Sequence, residues 1–231
     1  MRWELPLTAL GLLLLVVGHG IGLFVAPPEA MMGDVGRILY AHVPTAWVAL
    51  VAYLAAFVAA VGSLWSGRFT WDAAVAATVE VGVVLNGLLL AQGSIWARPT
   101  WGVYWTWDPR LTTTAVMFVM FVGVLLLRSL VEVAERRLTV TAVAGIVAFA
   151  NVPVVYFSVK WWRTLHQDFS SPETVSSPMV TPLRIAAFGM LFVAIGIAVM
   201  RWRAIYAAVQ RETESPALPD MPAPLKLPEV P

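Results

Sequence analysis

The sequence lacks cysteine altogether and carries little charge. With no thiol among 231 residues, disulfides, thiolate metal ligands and a covalently held c-type haem are excluded. Charged residues make up 13% of the chain, against roughly 25% in soluble domains. The net charge of +1 suggests no nucleic-acid partner. No GxxxxGK[ST] phosphate loop occurs, so any use of ATP has to come from another protein.

Hydrophobic residues dominate instead. They make up 59% of the sequence, and the mean hydropathy is +0.77. Six stretches contain the roughly 20 apolar residues that a helix needs to cross a bilayer. They lie near residues 5–26, 44–65, 73–96, 111–131, 138–159 and 183–203. We therefore predict an all-α integral membrane protein, a bundle of six transmembrane helices in the lipid bilayer, whose first span is retained rather than removed as a signal peptide.

The C-terminal end differs in composition from the rest of the chain. Residues 212–231, ETESPALPDMPAPLKLPEVP, are rich in proline and poor in large apolar side chains. Such a segment cannot bury enough surface to offset the entropy of ordering. We predict a membrane domain over residues 1–211 and a disordered tail after it.

Six spans bring the unusual residues of the chain to one side of the membrane. The outer loops contain residues 27–43, 97–110 and 160–182. Eight basic residues lie near the span ends on the side of the two termini and six on the other side. This difference favours cytoplasmic termini, because basic residues are more frequent in cytoplasmic loops.

Histidine is the strongest metal ligand left to a chain without cysteine, and there are three: His19, His42 and His166. Pro44 suits the first turn of a helix, so we expect His42 just above the second span. His166 falls in the polar outer loop KWWRTLHQDFS. Taken singly, each of these two histidines is compatible with an ordinary hydrogen bond at the interface. His19 lies between glycines, a setting that fits close helix packing better than metal ligation.

A dozen residues, WGVYWTWDPRLT (Trp101–Thr112), contain four aromatic rings. They offer a broad aromatic shelf in either helical or extended form, although Trp and Tyr also form belts at membrane interfaces. Asp108 before Pro109 is typical of a helix N-cap, and capping explains this acid as well as a ligand role does. The guanidinium groups of Arg98 and Arg110 flank the shelf and suit either carboxylates or lipid headgroups.

Flat aromatic rings, two imidazoles and guanidinium groups on one membrane face match the chemistry of haem, which has a planar ring, an iron atom and two propionates. We predict that His42 and His166 hold the iron from opposite faces. The remaining predicted site residues are Trp101, Gly102, Tyr104, Trp105, Trp107, Asp108, Arg98 and Arg110.

The same residues carry a resemblance. GSIWARPTWGVYWTWDPRLT (Gly93–Thr112) resembles the tryptophan-rich WWD signature of haem-handling proteins in cytochrome c biogenesis. HVPTAW (His42–Trp47) and NVPVVYFSVKWWRTLHQ (Asn151–Gln167) resemble the cytochrome c maturation protein C branch, also called haem exporter protein C (CcmC). The similarity covers nearly the whole chain except the tail. Tyr104 stands where many members have tryptophan, and Pro109 where a small residue is usual.

The resemblance implies a function. It implies that haem b, held without covalent bonds, is the cargo, bound at the periplasmic face of the bacterial inner membrane with His42 and His166 as axial ligands. It also implies delivery of haem to the membrane-anchored haem chaperone E (CcmE). An ABC-type complex of subunits A and B (CcmA and CcmB), with the small protein D (CcmD), then releases the loaded chaperone. The chain itself is expected to be a transport protein without an ATP site, not an enzyme.

Two other functions stay open on the sequence. A haem channel requires polar groups along a path between helices, for which Glu80, Asn86 and Gln92 are available in the third span. Hydrogen bonding between helices explains the same three residues. A purely structural assembly subunit is the second alternative, whereas a haem lyase with the same signature is expected to be larger.

Overall fold

The computed structural model describes residues 2–166 and 175–214. These residues form seven α-helices and one 3-10 helix, and no strand occurs among them. The helices are α1 (Glu4–Phe24), the 3-10 helix (Asp34–Ile38), α2 (Leu39–Ser66), α3 (Phe69–Trp101), α4 (Pro109–Ser129), α5 (Ala134–Phe149), α6 (Asn151–Trp161) and α7 (Ser177–Glu214).

Six helical stretches of the described chain are long and apolar enough to cross a membrane, with α5 and α6 together forming the fifth. The prediction of an all-α bundle of six membrane helices is therefore confirmed. Helix α2 has 28 residues and α3 has 33, whereas about 20 suffice to cross the hydrocarbon. Their ends therefore reach beyond the apolar layer of a bilayer.

The C-terminal helix is longer than the sixth predicted span. Helix α7 continues to Glu214, past the predicted end of the membrane domain at residue 211. Residues 215–231 lie outside the described part of the chain. The disordered tail therefore stays a prediction.

Small residues let the first and last helices of the bundle approach closely. A Cβ atom on Gly11 of α1 would lie only 2.8 Å from the Gly189 carbonyl oxygen of α7. Gly18 likewise packs against Ala186, and the neighbouring His19 donates from Nδ1 to the Leu15 carbonyl at 2.8 Å. Gly18 therefore serves helix packing, as the sequence indicates, whereas a Cβ atom on Gly20 would meet no atom within 4 Å.

The remaining helices pack around a core that holds few charged groups. Helix α2 packs on α3, α5 and α7, while α4 packs on α3, α5 and α6. Near one end of the bundle, both Nη atoms of Arg128 donate to the buried carboxylate of Asp72. Removing an ionised group from water is costly unless it is paired, so this interaction joins α4 to α3.

A break within the fifth span gives one half of the bundle its shape. Helix α5 ends at Phe149 and α6 begins at Asn151. Pro153 lacks the N–H that would bond to the Phe149 carbonyl, and its ring crowds that carbonyl. The side chain of Asn151 donates to the Thr113 carbonyl at 2.9 Å. The fifth span is therefore interrupted at Ala150, and α6 is held against α4.

Candidate functional site

A cleft opens between two walls at the end of the bundle where α2 and α4 begin and α3 and α6 end. Helices α2 and α3 form one wall, and α4 and α6 form the other. Its empty volume is about 1060 Å³, which includes open solvent at the mouth. The described lining residues are His42, Val43, Ala46, Trp47, Ala49, Leu50, Leu89, Leu90, Gly93, Ser94, Trp96, Trp101, Trp105, Arg110, Leu111, Thr114, Met117, Val155, Tyr156 and His166.

Two histidines from distant parts of the sequence face each other across this cleft. His42 lies in α2, and His166 lies on the segment that follows α6. Their ring centroids are 6.4 Å apart, and the ring planes are inclined by 32°. Two imidazoles on opposite sides of one metal ion, with metal–nitrogen bonds of about 2.0–2.1 Å, have centroids about 6 Å apart. The pair therefore has the spacing of two axial ligands.

The second helix begins before His42, whereas a proline in the first turn predicts a start near Pro44,. Helix α2 begins at Leu39, directly after the 3-10 helix, and includes both His42 and Pro44. The preceding 3-10 turn starts the helix early, and Pro44 leaves only the Tyr40 carbonyl without its usual helical donor. His42 is consequently held on a regular helix rather than on a loop.

The ring of His42 is positioned by packing. Its Nδ1 atom is buried and has no hydrogen-bond partner among the described residues. A Cβ atom on Gly93 of α3 would lie 3.4 Å from the ring Cε1 atom, so glycine there gives the imidazole space. A buried polar atom without a partner is costly, and a ligand that bonds to Nδ1 would offset that cost.

The aromatic segment is partly helical and partly a loop. Helix α3 continues to Trp101 and ends at Gly102, whose φ of 80° lies in the left-handed region that favours glycine,. Residues 103–108 are not helical, and α4 begins at Pro109. Trp101 and Trp105 line the cleft, and Trp101 makes an edge-to-face contact with Trp96, with the ring centroids 5.2 Å apart.

Five of the predicted site residues lie outside the cleft lining: Arg98, Gly102, Tyr104, Trp107 and Asp108. Trp107 is 82% exposed and Tyr104 is 62% exposed. Trp107 packs edge-to-face on Trp105 at 5.8 Å between centroids, so it covers a lining ring from outside. The guanidinium of Arg98 donates to the Gly102 carbonyl and lies 5.7 Å from the centre of the Tyr104 ring, an arrangement that braces the loop.

Asp108 has more partners than a cap requires. Its Oδ1 accepts a hydrogen bond from the Arg110 amide at 2.9 Å, which caps α4 as the sequence indicates. Its carboxylate also accepts from the Thr164 hydroxyl at 2.7 Å and from the Leu165 amide at 2.7 Å. The Thr164 Oγ1 atom in turn accepts from the His166 amide at 3.0 Å. The buried carboxylate thus joins the aromatic loop to the segment that carries His166.

Arg110 is the arginine that reaches the cleft. It follows the cap of α4 directly, and its Nη1 lies 3.4 Å from the Val155 carbonyl of α6. Arg98 and Arg110 look equivalent in the sequence, but the left-handed turn at Gly102 separates them. One guanidinium therefore faces the loop and the other lines the cleft beside the histidines.

Sequence reasoning missed several residues of this site. Thr164 orders the His166 segment, Gly93 gives space to His42, and Trp47 and Tyr156 complete the lining. Trp47 and Tyr156 stand within the family-like motifs, but nothing in the spacing of one sequence indicates that they meet at one cleft. Among the described residues, no cluster of three or more His, Cys, Asp or Glu is suited to a free metal ion.

The polar residues of the third span diverge. Glu80 accepts two hydrogen bonds from Arg201 of α7 at 2.6 and 2.9 Å. Asn86 donates to the Tyr53 hydroxyl at 3.4 Å within the core, and Gln92 keeps a buried Oε1 without a partner among the described residues. Two of the three thus join helices, and they line no common path.

We expect Asp108→Ala to loosen the segment that carries His166. A hydrogen bond to a charged acceptor contributes about 1.5–3 kcal/mol, so exchange of the Leu165 amide hydrogen should accelerate about tenfold or more. Thr164→Val is the matched control, because it removes the hydroxyl but leaves the Leu165 amide bonded to the carboxylate. Hydrogen exchange followed by mass spectrometry measures both variants. Equal exchange in the wild type and Asp108→Ala would show that the carboxylate does not hold this segment.

The sequence is similar to a described protein family and to individual bacterial proteins. The sequence profile of the family described as "Heme exporter protein C" matches residues 1–217. The protein named "Heme exporter protein C" of Escherichia coli strain K12 is 34% identical over 215 residues, which cover 90% of this chain and 86% of the relative. Its namesake in Haemophilus influenzae is 37% identical over 207 residues, 86% of this chain and 82% of the relative.

A plant relative extends the similarity beyond bacteria. The "Putative cytochrome c biosynthesis ccmC-like mitochondrial protein" of Marchantia polymorpha is 29% identical over 180 residues, 77% of this chain and 76% of the relative. The resemblance of the WWD segment and of the two histidine motifs therefore extends to most of the chain, and this six-span membrane protein belongs to the haem exporter protein C family.

Proposed function

We propose that this protein binds haem b in the cleft, with His42 and His166 as the two axial ligands, and delivers it to the haem chaperone CcmE during c-type cytochrome biogenesis. The observation that carries the proposal is the 6.4 Å separation of the two ring centroids. Haem brings its own iron, so two facing imidazoles suffice and a larger ligand cluster is unnecessary. The haem is cargo, held through two exchangeable iron–nitrogen coordinate bonds and no covalent bond to the porphyrin.

The cleft walls suit the porphyrin ring. Trp96, Trp101 and Trp105 present aromatic surface from one side, and aliphatic side chains of α2, α3 and α4 fill much of the remaining lining. Planar aromatic surfaces favour offset stacking and edge-to-face contacts, which do not depend on the oxidation state of the iron. The tryptophans therefore contribute affinity and orientation, while the histidines contribute ligation.

Arg110 is our choice for the propionate partner. It lines the cleft beside the two histidines, and a guanidinium forms short, paired hydrogen bonds with carboxylates,. Arg98 braces the loop instead through its contacts with Gly102 and Tyr104. Haem bound with its propionates toward Arg110 would place its apolar edge deeper among the helices.

The membrane orientation belongs to the same proposal. The excess of basic residues on the side of the two termini supports cytoplasmic termini, and the cleft opens at the opposite end of the spans. Haem would then be held at the periplasmic face of the bacterial inner membrane. A protein that transfers haem there can leave ATP hydrolysis to partner proteins. This fits a role beside the ABC-type subunits CcmA and CcmB and the small protein CcmD.

An exposed aromatic surface beside the cleft is our candidate for the chaperone contact. Trp107 and Leu165 flank a shallow depression that also includes Thr106 and Arg163. Exposed aromatic and aliphatic side chains rimmed by polar groups are typical of protein contacts. Because Trp107 packs directly on Trp105 of the cleft lining, a partner bound here would lie next to the bound haem.

We expect His42→Ala and His166→Ala each to lose the six-coordinate ferric haem spectrum, because either change removes one axial ligand. Absorption spectra of the purified protein in lipid nanodiscs measure this. His19→Ala is the matched control, since His19 bonds within α1 and lies outside the cleft, and it should keep the wild-type spectrum. An unchanged spectrum in either cleft variant would overturn the axial assignment.

We expect Arg110→Gln to weaken haem binding about tenfold, or about 1.4 kcal/mol, because it removes a charged partner of a propionate. The comparison ligand is haem dimethyl ester, which has no free carboxylate and should bind both proteins equally. Arg98→Gln should leave haem affinity near the wild-type value. Titrations in which the ester loses as much affinity as haem would show that Arg110 does not act through a propionate.

We expect Trp107→Ala to lower capture of CcmE at least tenfold while keeping the haem spectrum. Trp105→Ala should instead lower haem content, because Trp105 lines the cleft. Trp65, an exposed tryptophan at the other end of α2, provides the control variant Trp65→Ala, which should change neither property. Co-purification with tagged CcmE measures capture, and normal capture by Trp107→Ala would rule out this surface.

A further inference from the structure

We propose that haem reaches the cleft sideways from the adjoining lipid leaflet, through a gap between α2 and α6 that Trp47 and Tyr156 border. We call this gap the lateral opening. The inference rests on the proposed function, because it concerns the route of the same haem to the same two histidines. The lipid phase is then the source of the cargo, and two residues control the passage of haem from it.

The exposure of the cleft lining identifies the opening. Among the described lining residues only two are exposed, Trp47 at 41% and Tyr156 at 44%. They come from α2 and α6, which are far apart in the sequence. A side chain that both lines a cleft and faces outward borders a mouth, so the cleft has an outlet where these two helices pass each other.

The break at Ala150 explains why a gap exists there. Below the break, α5 packs on α2, and Phe57 stacks on Phe149 with the ring centroids 4.4 Å apart. Above it, α6 packs on α4, and the Asn151 side chain bonds to α4 rather than to α2. The Phe57–Phe149 stack therefore closes the gap from below.

The depth of the opening coincides with the boundary of a lipid leaflet. Trp47 and Trp65 are 18 residues apart on α2, which corresponds to about 27 Å at helical rise. The hydrocarbon layer is about 30 Å thick, and tryptophan is enriched at both of its boundaries. With Trp65 at one boundary, Trp47 lies near the other. His42 is five residues further along, about 7.5 Å beyond that boundary.

The chemistry of the opening suits an amphipathic planar molecule. Haem in a bilayer keeps its propionates near the headgroups and its ring in the hydrocarbon. Moving toward the histidines, the ring would pass between aromatic side chains and the propionates would approach Arg110 near the surface. A route through water would instead expose the whole apolar ring, which is unfavourable in proportion to the apolar area.

The test uses the absence of cysteine from the chain, because a single introduced thiol is then the only one. Trp47→Cys and Tyr156→Cys are labelled with a bulky maleimide in detergent, reconstituted in nanodiscs and mixed with vesicles that contain haem. Growth of the six-coordinate Soret band gives the loading rate. We expect labelling to slow loading at least tenfold at either position.

The matched control is Val58→Cys. Val58 is exposed on α2, and 11 residues place it on nearly the same helix face as Trp47 but deeper, outside the cleft lining. Its label should leave the loading rate unchanged. Labelling after haem is bound should keep the spectrum and slow release, which separates a blocked route from a damaged binding site.

Two results would overturn the lateral opening. One is loading of the labelled Trp47→Cys and Tyr156→Cys proteins as fast as that of the unlabelled ones. The other is loss of already bound haem on labelling, which would show that the label disrupts binding rather than passage. Failure of the proposed function looks different, because the unlabelled protein would then show no six-coordinate haem from any source.

Discussion

The geometry of the site depends on the hydrogen bonds that the Asp108 carboxylate accepts. Buried between two loops, it caps α4 through the Arg110 amide and holds the segment after α6 through Thr164 and Leu165. Arg110 and His166 therefore take their positions from one group. A buried charge is stable only when its hydrogen bonds are satisfied. The positions of the two loops therefore depend on each other. Asp108 thus makes the cap that the sequence indicates, and the same carboxylate also bonds to the segment that carries His166.

A second constraint comes from proline in membrane helices. Proline within a helix removes one backbone hydrogen bond and crowds the preceding turn. At the Pro153 break, the Asn151 side chain donates to the Thr113 carbonyl of α4. Helix α6 therefore packs on α4, whereas α5 packs on α2. The cleft is thus a consequence of helix geometry, and the small residue Gly93 makes room in it for the His42 ring.

The sequence predicts the fold better than it predicts side-chain directions. Long apolar runs were enough for six spans, because a bilayer sets helix length directly. The sequence also predicted that the three outer segments lie together, because alternate loops of a membrane bundle share a membrane face. Hydrogen bonds between those loops could not be predicted, because nothing in the sequence distinguishes Thr164 from the other threonines. The different directions of Arg98 and Arg110 could not be predicted either. They follow from the left-handed turn at Gly102, after which Arg98 faces the loop and Arg110 faces the cleft. Likewise, Trp105 and Trp107 differ by two positions and belong to different surfaces. Glu80 and Asn86, candidates for a haem path, instead join α3 to α7 and α2.

The central claim is that one haem iron is bound by two histidines of this chain. Electron–nuclear double resonance of the ferric haem complex, with ¹⁵N in histidine only, tests it directly. The account predicts coupling of the iron spin to two ¹⁵N nuclei in the wild type and to one in either His42→Ala or His166→Ala. Coupling to a single histidine nitrogen, or to none, in the wild-type protein would contradict it.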